Sequence, residues 1–190
     1  MASVTVGVCA ESAPGEHRVA LVPAVVGTLR AMGARVAVEE GAGRPAGFED
    51  GAYARAGAGV ASRADVVGQA DMLIGVQRPA AATGPGMRRG QVVAGLLRPL
   101  RNALTVRYWA DHGITAISFD LLTDGPGRPP AAARAGASAV DAAAEQARIT
   151  GHQAVLTGLL HCGRSLPGSV TGREDRPARI LVVGGGPAGR

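Results

Sequence analysis

Short β-branched runs alternate with helical segments along the first 120 residues of this chain. The predicted strands cover residues 4–8, 35–38, 72–76, 92–97 and 115–119. The predicted helices cover residues 23–32, 49–56, 63–69 and 101–111. Strands that are separated by helical connections pair in parallel, because the chain must cross back before the next strand begins. The alternation therefore predicts an α/β domain with a mainly parallel sheet, either flavodoxin-like or Rossmann-like.

A glycine-rich motif stands near the end of the chain. The apolar run 180–183 leads directly into Gly184, Gly185, Gly186, Pro187, Ala188 and Gly189. A strand followed by G-x-G-x-x-G opens a dinucleotide-binding βαβ unit, where the glycines permit a tight turn beside the pyrophosphate. We therefore expect these six residues to contact a cofactor, NAD. A glycine-rich tail without this role is the alternative.

Composition divides the 190 residues into three parts. We predict a first domain over 1–130, a linker helix and connection over 131–178, and the start of a nucleotide-binding domain over 179–190. Glycine and proline are concentrated near 123–130, and a helical pattern runs over 140–162. Since the chain ends at Arg190, we expect only the first strand of a truncated Rossmann domain. The helix and ribose-binding acid that normally follow this strand are expected to be missing.

The charged residues argue against several functional classes. All 20 basic residues are arginine, so lysine chemistry such as a Schiff base is excluded for this chain. The arginines are scattered without an aromatic platform, and we expect no nucleic-acid partner. Cys9, Cys162 and the four histidines lack metal-ligand spacing, so no metal site is predicted, and both cysteines are expected in the core.

The absence of long apolar runs bears on location. No apolar run approaches the roughly 20 residues that span a bilayer. The first residues also lack the pattern of a secretory signal peptide. We therefore expect no direct membrane span and a cytoplasmic location.

Several segments carry a family resemblance. Residues 15–23, 39–48, 149–155, 161–168 and 177–186 read GEHRVALVP, EEGAGRPAGF, ITGHQAV, HCGRSLPG and PARILVVGGG. In register, they resemble the N-terminal half of the nicotinamide nucleotide transhydrogenase alpha subunit, whose first domain is shared with alanine dehydrogenases. The resemblance implies hydride transfer between NAD(H) and NADP(H) in the intact enzyme, coupled to proton movement. It also implies a homodimer, an NADP-binding, membrane-embedded beta component as partner, and a peripheral position of this chain at the inner face of the plasma membrane.

Two positions separate the branches of this family. Alanine dehydrogenases use a Lys and a His to bind and activate the substrate, and the matching residues here are Gln77 and Arg98. An amide does not titrate and a guanidinium stays protonated, so neither serves as an acid or base near neutral pH. Hydride transfer between two nicotinamides needs only placement and exclusion of water. The sequence favours the transhydrogenase branch; an alanine-dehydrogenase-like oxidoreductase and a non-catalytic binding domain remain the alternatives.

Arg18 is a candidate catalytic residue in the first domain. By resemblance it holds a carboxylate or amide of the ligand, a task that suits the planar guanidinium. The alternative is a surface ion pair with Glu16 or Glu11, which precede Arg18 by two and seven residues.

A polar loop before the long helix supplies the other candidates. By resemblance, Asp141 is a catalytic residue that contacts the nicotinamide, and Arg134 and Ser138 contact the cofactor. Ser138 and Asp141 also have the S-x-x-D spacing of a helix N-terminal box, which is the structural alternative. With the nucleotide site incomplete, we expect the isolated chain to be inactive.

Overall fold

The computed structural model describes residues 3–80, 86–121, 142–162 and 180–189. The chain divides into two compact units, Met1–Thr123 and Asp124–Arg190. The first unit contains the sheet, and the second contains the long helix and the glycine-rich turn.

Six parallel strands form the sheet of the first unit. The strands are β1 (Thr5–Val8), β2 (Arg35–Glu39), β3 (Gly59–Ala61), β4 (Met72–Gln77), β5 (Val92–Leu96) and β6 (Thr115–Ser118). Their order is β3-β2-β1-β4-β5-β6. The predicted parallel α/β fold is confirmed, and the order is that of the Rossmann arrangement rather than the flavodoxin one.

Four α-helices connect these strands, and their ends follow local chemistry. They are α1 (Pro23–Ala31), α2 (Asp50–Ala56), α3 (Arg63–Gln69) and α4 (Ala103–Asp111). Pro23 occupies the first turn of α1, where its missing N–H costs nothing. Ser62 caps α3 by accepting a hydrogen bond from the Asp65 N–H. Gly57 ends α2 in the left-handed conformation that favours glycine.

Alternating strand residues place a core on each face of the sheet. On one face Val8, Val38 and Val26 pack with Tyr53 from α2. On the other face Leu73 packs with Val66 and Val67 from α3, and Trp109 from α4 packs with Val93 and Leu97. The period of two along each strand produces this division.

The third strand was not predicted from the sequence. β3 has only three residues, Gly59–Ala61, and begins with glycine, which is a weak strand former. It forms because Ala37, Val38 and Glu39 of β2 offer an open edge for pairing. Tertiary pairing therefore decides this strand.

A glycine contact shapes the carboxyl ends of β4 and β5. The pairing shifts between Ile74 and Gln77 of β4. A Cβ on Gly95 would lie 2.5 Å from the Gly75 carbonyl oxygen. Glycine at position 95 therefore lets the two backbones approach, and the irregularity carries Gln77 to the end of the sheet.

The second unit contains helix α5 (Ala142–His161), close to the predicted 140–162. Residues 180–183 were predicted to form a strand, but among the described residues they form none. A lone segment has no ladder partner for its N–H and C=O groups. Pro187–Gly189 forms a 3₁₀ turn that packs on α5, with the Ala188 carbonyl against Gly151. None of the helices in the described ranges is long and apolar enough to cross a bilayer.

The two cysteines differ in environment. Cys9 is buried beside α3, as predicted. Cys162 is exposed, so its predicted core position is wrong. It directly follows the last residue of α5, where the neighbouring His161 is also exposed.

Candidate functional site

The strand order predicts where a ligand crevice lies in the first unit. β1 and β4 are neighbours, and the chain leaves them toward opposite sides of the sheet. In open α/β sheets, ligands bind at such a switch point, outside the carboxyl ends of the strands. The segment after β1 carries Glu11, Glu16 and Arg18, and β4 ends at Gln77. These four residues are called the switch-point crevice below.

Glu11 bridges the two sides of the crevice. Its carboxylate accepts hydrogen bonds from the backbone N–H groups of Val76, at 2.6 Å, and Gln77, at 3.3 Å. These groups lie beyond Ile74, the last β4 residue paired with β1. Burial raises the pKa of Glu11, and the two hydrogen bonds oppose that shift. Glu11 thus accepts hydrogen bonds from two β4 backbone N–H groups that lie beyond the pairing with β1.

Glu16 joins Arg18 to Gln77. Its oxygens lie 2.7 Å from Arg18 Nε and 2.6 Å from Arg18 Nη2, in a bidentate pair. Its Oε2 also accepts a hydrogen bond from Gln77 Nε2 at 2.8 Å. The hydrogen bonds from Arg18, reinforced by that from Gln77, lower the pKa of Glu16 to about 2. The ion pair that was the alternative reading of Arg18 therefore forms, and it also fixes the Gln77 amide.

Arg98 stands at the carboxyl end of the next strand. Gln77 is paired with Leu96 of β5, so Arg98 follows two residues beyond that pair. Its backbone has φ 48°, the left-handed conformation that disfavours a side chain. Its N–H donates to Asp120 Oδ1 at 3.3 Å, and its carbonyl accepts from Asn102 Nδ2 at 3.0 Å. These two bonds hold the unfavourable conformation in place.

Asp120 anchors this turn as an ionised group. Burial tends to raise the pKa of Asp120. Hydrogen bonds from the Ser118 hydroxyl and the Arg98 N–H outweigh burial and leave the pKa below its ordinary value. The carboxylate therefore remains a good acceptor near neutral pH.

Glu39 and Arg63 form a clamp that was missed from the sequence. Glu39 Oε2 accepts from the Ala10 N–H at 2.9 Å, and both Glu39 oxygens lie 3.0 Å from Arg63 Nε. Arg63 Nη2 also donates to the Ala10 carbonyl at 3.3 Å. The residue before Glu11 is thus held at both its N–H and its C=O. The position of Glu39 at the end of β2 was the available signal, because an acid there binds ribose in dinucleotide folds.

The same clamp limits the chemistry of Cys9. Burial, followed by the nearby Glu39 charge, raises the pKa of Cys9 to about 11. The thiol therefore stays protonated near neutral pH and is not an activated nucleophile. In the described part of the chain, no cluster of three or more His, Cys, Asp or Glu side chains could hold a metal ion.

The other predicted site residues lie beyond the described part of the first unit. Arg134, Ser138 and Asp141 lie outside the described residues. The glycine motif 184–189 belongs to the second unit, which is described by itself.

The glycine motif supplies part of a nucleotide site. Gly184 has φ 112°, which favours glycine, and the Gly189 N–H donates to the Gly186 carbonyl at 2.9 Å. A pyrophosphate site also needs the N-terminus of a following helix. Within residues 180–189 only the 3₁₀ turn Pro187–Gly189 follows. The described residues therefore fit NAD only in the tight turn.

Comparison with known proteins identifies one matching family profile. The profile of the alanine dehydrogenase/PNT N-terminal domain matches residues 7–149. This range includes the sheet apart from the first two residues of β1, all four residues of the switch-point crevice and the first part of α5.

Individual relatives give the same result. The chain is 35% identical over 186 residues to NAD(P) transhydrogenase subunit alpha from Cereibacter sphaeroides, covering 97% of this chain and 34% of that protein. It is 30% identical over 191 residues to alanine dehydrogenase from Mycobacterium tuberculosis, covering 97% and 48%. The crystal structure of a transhydrogenase from Sinorhizobium meliloti aligns with a TM-score of 0.76 at 32% identity, covering 88% and 47%. The chain thus spans between about a third and half of these relatives' lengths.

Proposed function

Because this chain belongs to the alanine dehydrogenase/PNT family, we propose that it is the first part of a transhydrogenase alpha subunit. The family membership establishes a relationship to oxidoreductases. The proposed activity of the completed enzyme is hydride transfer between NAD(H) and NADP(H), coupled to proton translocation.

The observation that carries this proposal is the Glu16–Gln77 hydrogen bond. At the crevice position where alanine dehydrogenases bear a lysine, the Gln77 amide donates to Glu16, which is already held by Arg18. An amide cannot exchange a proton with a substrate near neutral pH. Arg98, at the position where alanine dehydrogenases bear a histidine, keeps its positive charge and cannot accept a proton. Neither of these two positions therefore supplies the acid or base that amino-acid oxidation requires.

Hydride transfer makes no such demand. When bound, the nicotinamide nucleotides supply both the hydride donor and its acceptor, and no proton is taken from the protein. The chain's own contribution is then a rigid polar wall. Glu11 holds the β4 end, and Glu16 fixes the directions of Arg18 and Gln77. Rigid placement of this kind is the catalytic effect that the reaction requires.

The proposed assembly follows from the same relationship. We place the chain at the cytoplasmic face of the membrane, as a homodimer that acts with an NADP-binding, membrane-embedded beta component. Helix α5 supports a role in association because Ile149, Val155, Leu156 and Leu160 are exposed on it. Exposed apolar groups on a helix favour contact with a partner.

A chimera tests the proposed reaction. Residues 1–190 are fused to an intact NAD domain from a transhydrogenase, and the NADP-binding component is added. We expect weak but measurable hydride transfer from NADH to an NADP analogue and no alanine-dependent reduction of NAD. Asp141→Asn should slow the transfer if that carboxylate reaches the nicotinamide, and should change only stability if it caps the helix.

The controls separate reaction type from folding. Glu49→Gln removes an exposed ion pair with Arg44, in which Glu49 Oε2 lies 3.8 Å from Arg44 Nε, and should leave the transfer rate unchanged. Alanine-dependent turnover by the chimera would overturn the assignment, because an acid–base group other than Gln77 or Arg98 would then act on the substrate. A folded chimera without any transfer between nucleotides would favour the non-catalytic alternative.

A further inference from the structure

A cavity lies near the amino ends of the strands, whereas the switch-point crevice lies at their carboxyl ends. Its volume is about 470 Å³, and it opens where β1, β2 and β3 begin. Its lining includes Thr5, Arg30, Arg35, Gly57, Gly59 and Gln69. This size falls within the range of small-molecule sites. The group is called the amino-edge cavity below.

Two guanidinium groups give this cavity its charge. Arg30 lies in the last turn of α1 and Arg35 begins β2, and both residues are exposed. Among the described residues neither has a carboxylate within ion-pair distance. Asp71 is close enough to Arg35 to be influenced by its charge, but its oxygens are bound by the Thr5 N–H and by Arg88 Nη2. The two guanidinium groups at the cavity are therefore not neutralised by a paired carboxylate.

Donors other than these two arginines cap several carbonyls at the adjoining helix ends. The Leu29 carbonyl of α1 accepts from the N–H groups of Met32 and Ala34. The Tyr53 carbonyl of α2 accepts from the Ala58 N–H. At the end of α3, Gln91 Nε2 serves the carbonyls of Val67 and Ala70. None of these four carbonyls takes its hydrogen bond from Arg30 or Arg35, so neither guanidinium is committed to them.

Glycine makes room for one of the arginines. Gly57 has φ 93°, and a Cβ on it would collide with the Arg30 guanidinium. The guanidinium thus lies across the turn at the wall of the cavity. Gln69 and Thr5 also line the cavity, and the buried Thr5 hydroxyl has no hydrogen-bond partner among the described residues.

We propose that the amino-edge cavity binds a small phosphate monoester, with Arg30 and Arg35 holding the phosphate. A guanidinium offers paired N–H donors that match phosphate oxygens, and two of them match a dianion. The Gln69 amide adds a neutral donor or acceptor for the remainder of the molecule. This site is separate from the proposed hydride-transfer site, which lies at the carboxyl ends of the strands.

Titration calorimetry on the full chain at low ionic strength tests this site. The probes are ribose 5-phosphate, inorganic phosphate and uncharged ribose. We expect ribose 5-phosphate to bind, ribose not to bind, and inorganic phosphate to bind more weakly. Arg30→Gln and Arg35→Gln should each weaken ribose 5-phosphate binding at least tenfold, and Arg107→Gln, on the exposed face of α4, should leave it unchanged.

A measurement on the unaltered protein covers the case of a variant that does not fold. In ¹⁵N–¹H spectra, ribose 5-phosphate should shift the amide signals of Arg35, Gly57 and Gln69 and not those of Arg18 and Gln77. Equal affinity in the two arginine variants, or shifts confined to the switch-point crevice, would refute the site. Equal binding of inorganic phosphate and ribose 5-phosphate would refute the assignment to a monoester.

Discussion

At the scale of single residues, Glu16 determines the character of the switch-point crevice. Its side chain is only 5% exposed, although it carries a charge. It remains ionised because Arg18 and Gln77 together supply three side-chain hydrogen bonds. A buried carboxylate is stable only with such partners.

Glu16→Gln is expected to destabilise the first unit in a pH-dependent way. The pKa of Glu16 is about 2 in the folded state, against an ordinary value of 4.5. Its contribution is therefore complete above pH 4.5 and is lost as the pH falls toward 2. We expect a loss of about 1–2 kcal/mol at pH 7, since Arg18 is partly exposed and screened by solvent.

Urea unfolding at several pH values from 7 to 3 measures this effect. The difference between the variant and the unaltered protein should shrink as the pH approaches 3. Glu49→Gln, which alters an exposed pair, should differ by less than about 0.5 kcal/mol throughout. A Glu16→Gln effect that does not vary with pH would contradict the proposed ionisation.

Thr5→Val is expected to stabilise the protein. The Thr5 hydroxyl is buried and has no partner in the described part of the chain. Valine has nearly the same shape, and the backbone bond from the Thr5 N–H to Asp71 is retained. Removal of an unsatisfied polar group should contribute about 1 kcal/mol, measured by urea unfolding without ligand. A lower stability would indicate that the hydroxyl has a partner, such as a bound water.

At the scale of elements, the β4–β5 pair decides where the crevice forms. The local irregularity carries the β4 backbone to Glu11 and places Gln77 beside the end of β5. It depends on the close approach of Gly75 and Gly95. The sequence run 92–97 predicted the strand, but not this contact.

Gly95→Ala is expected to lower the free energy of unfolding by about 2–3 kcal/mol. The added Cβ would lie 2.5 Å from the Gly75 carbonyl oxygen, which is fixed backbone. Gly68→Ala is the matched control, since Gly68 lies in α3 with open space around it. Alanine there should stabilise by about 0.5–1 kcal/mol, because it favours the helix. Thermal and urea unfolding measure both changes, and similar effects of the two variants would rule out the close approach.

At the scale of the whole molecule, the two units differ in how much of their apolar surface is buried. The first unit has a sheet with helices and a core on both of its faces. In the second unit, Leu181 and Val183 are highly exposed beside the glycine-rich turn. A nucleotide site needs a helix N-terminus and a sheet around such a turn.

The protein of 190 residues is therefore expected to bind NADH with a dissociation constant no lower than millimolar, which corresponds to a binding free energy of about −4 kcal/mol. The described residues supply the tight turn and not the following helix or the ribose acid. Calorimetric titration with NADH measures the dissociation constant, with bovine serum albumin as a protein control. A micromolar value would show that the nucleotide site is more complete than the described residues indicate.

The sequence by itself determined the fold class and the family. Periodic apolar runs report which faces are buried, so α1, α3, β2 and β4 were predicted to within about two residues. The order of short motifs was enough to indicate the alanine dehydrogenase/PNT relationship, which the family profile confirms. Local spacing also predicted the alternative for Arg18, an ion pair with Glu16 only two residues away, and this pair forms in the structure.

Only the tertiary structure decided the contacts between distant segments. Glu11 is 65 residues from Val76, and Glu39 is 29 residues from Ala10, yet each pair is hydrogen bonded. The short strand β3 exists because β2 offers it an edge. Such contacts depend on how strands are ordered in the sheet, and spacing along the chain carries no record of that order. The physical reason is that buried polar groups take whichever partner the fold brings within reach.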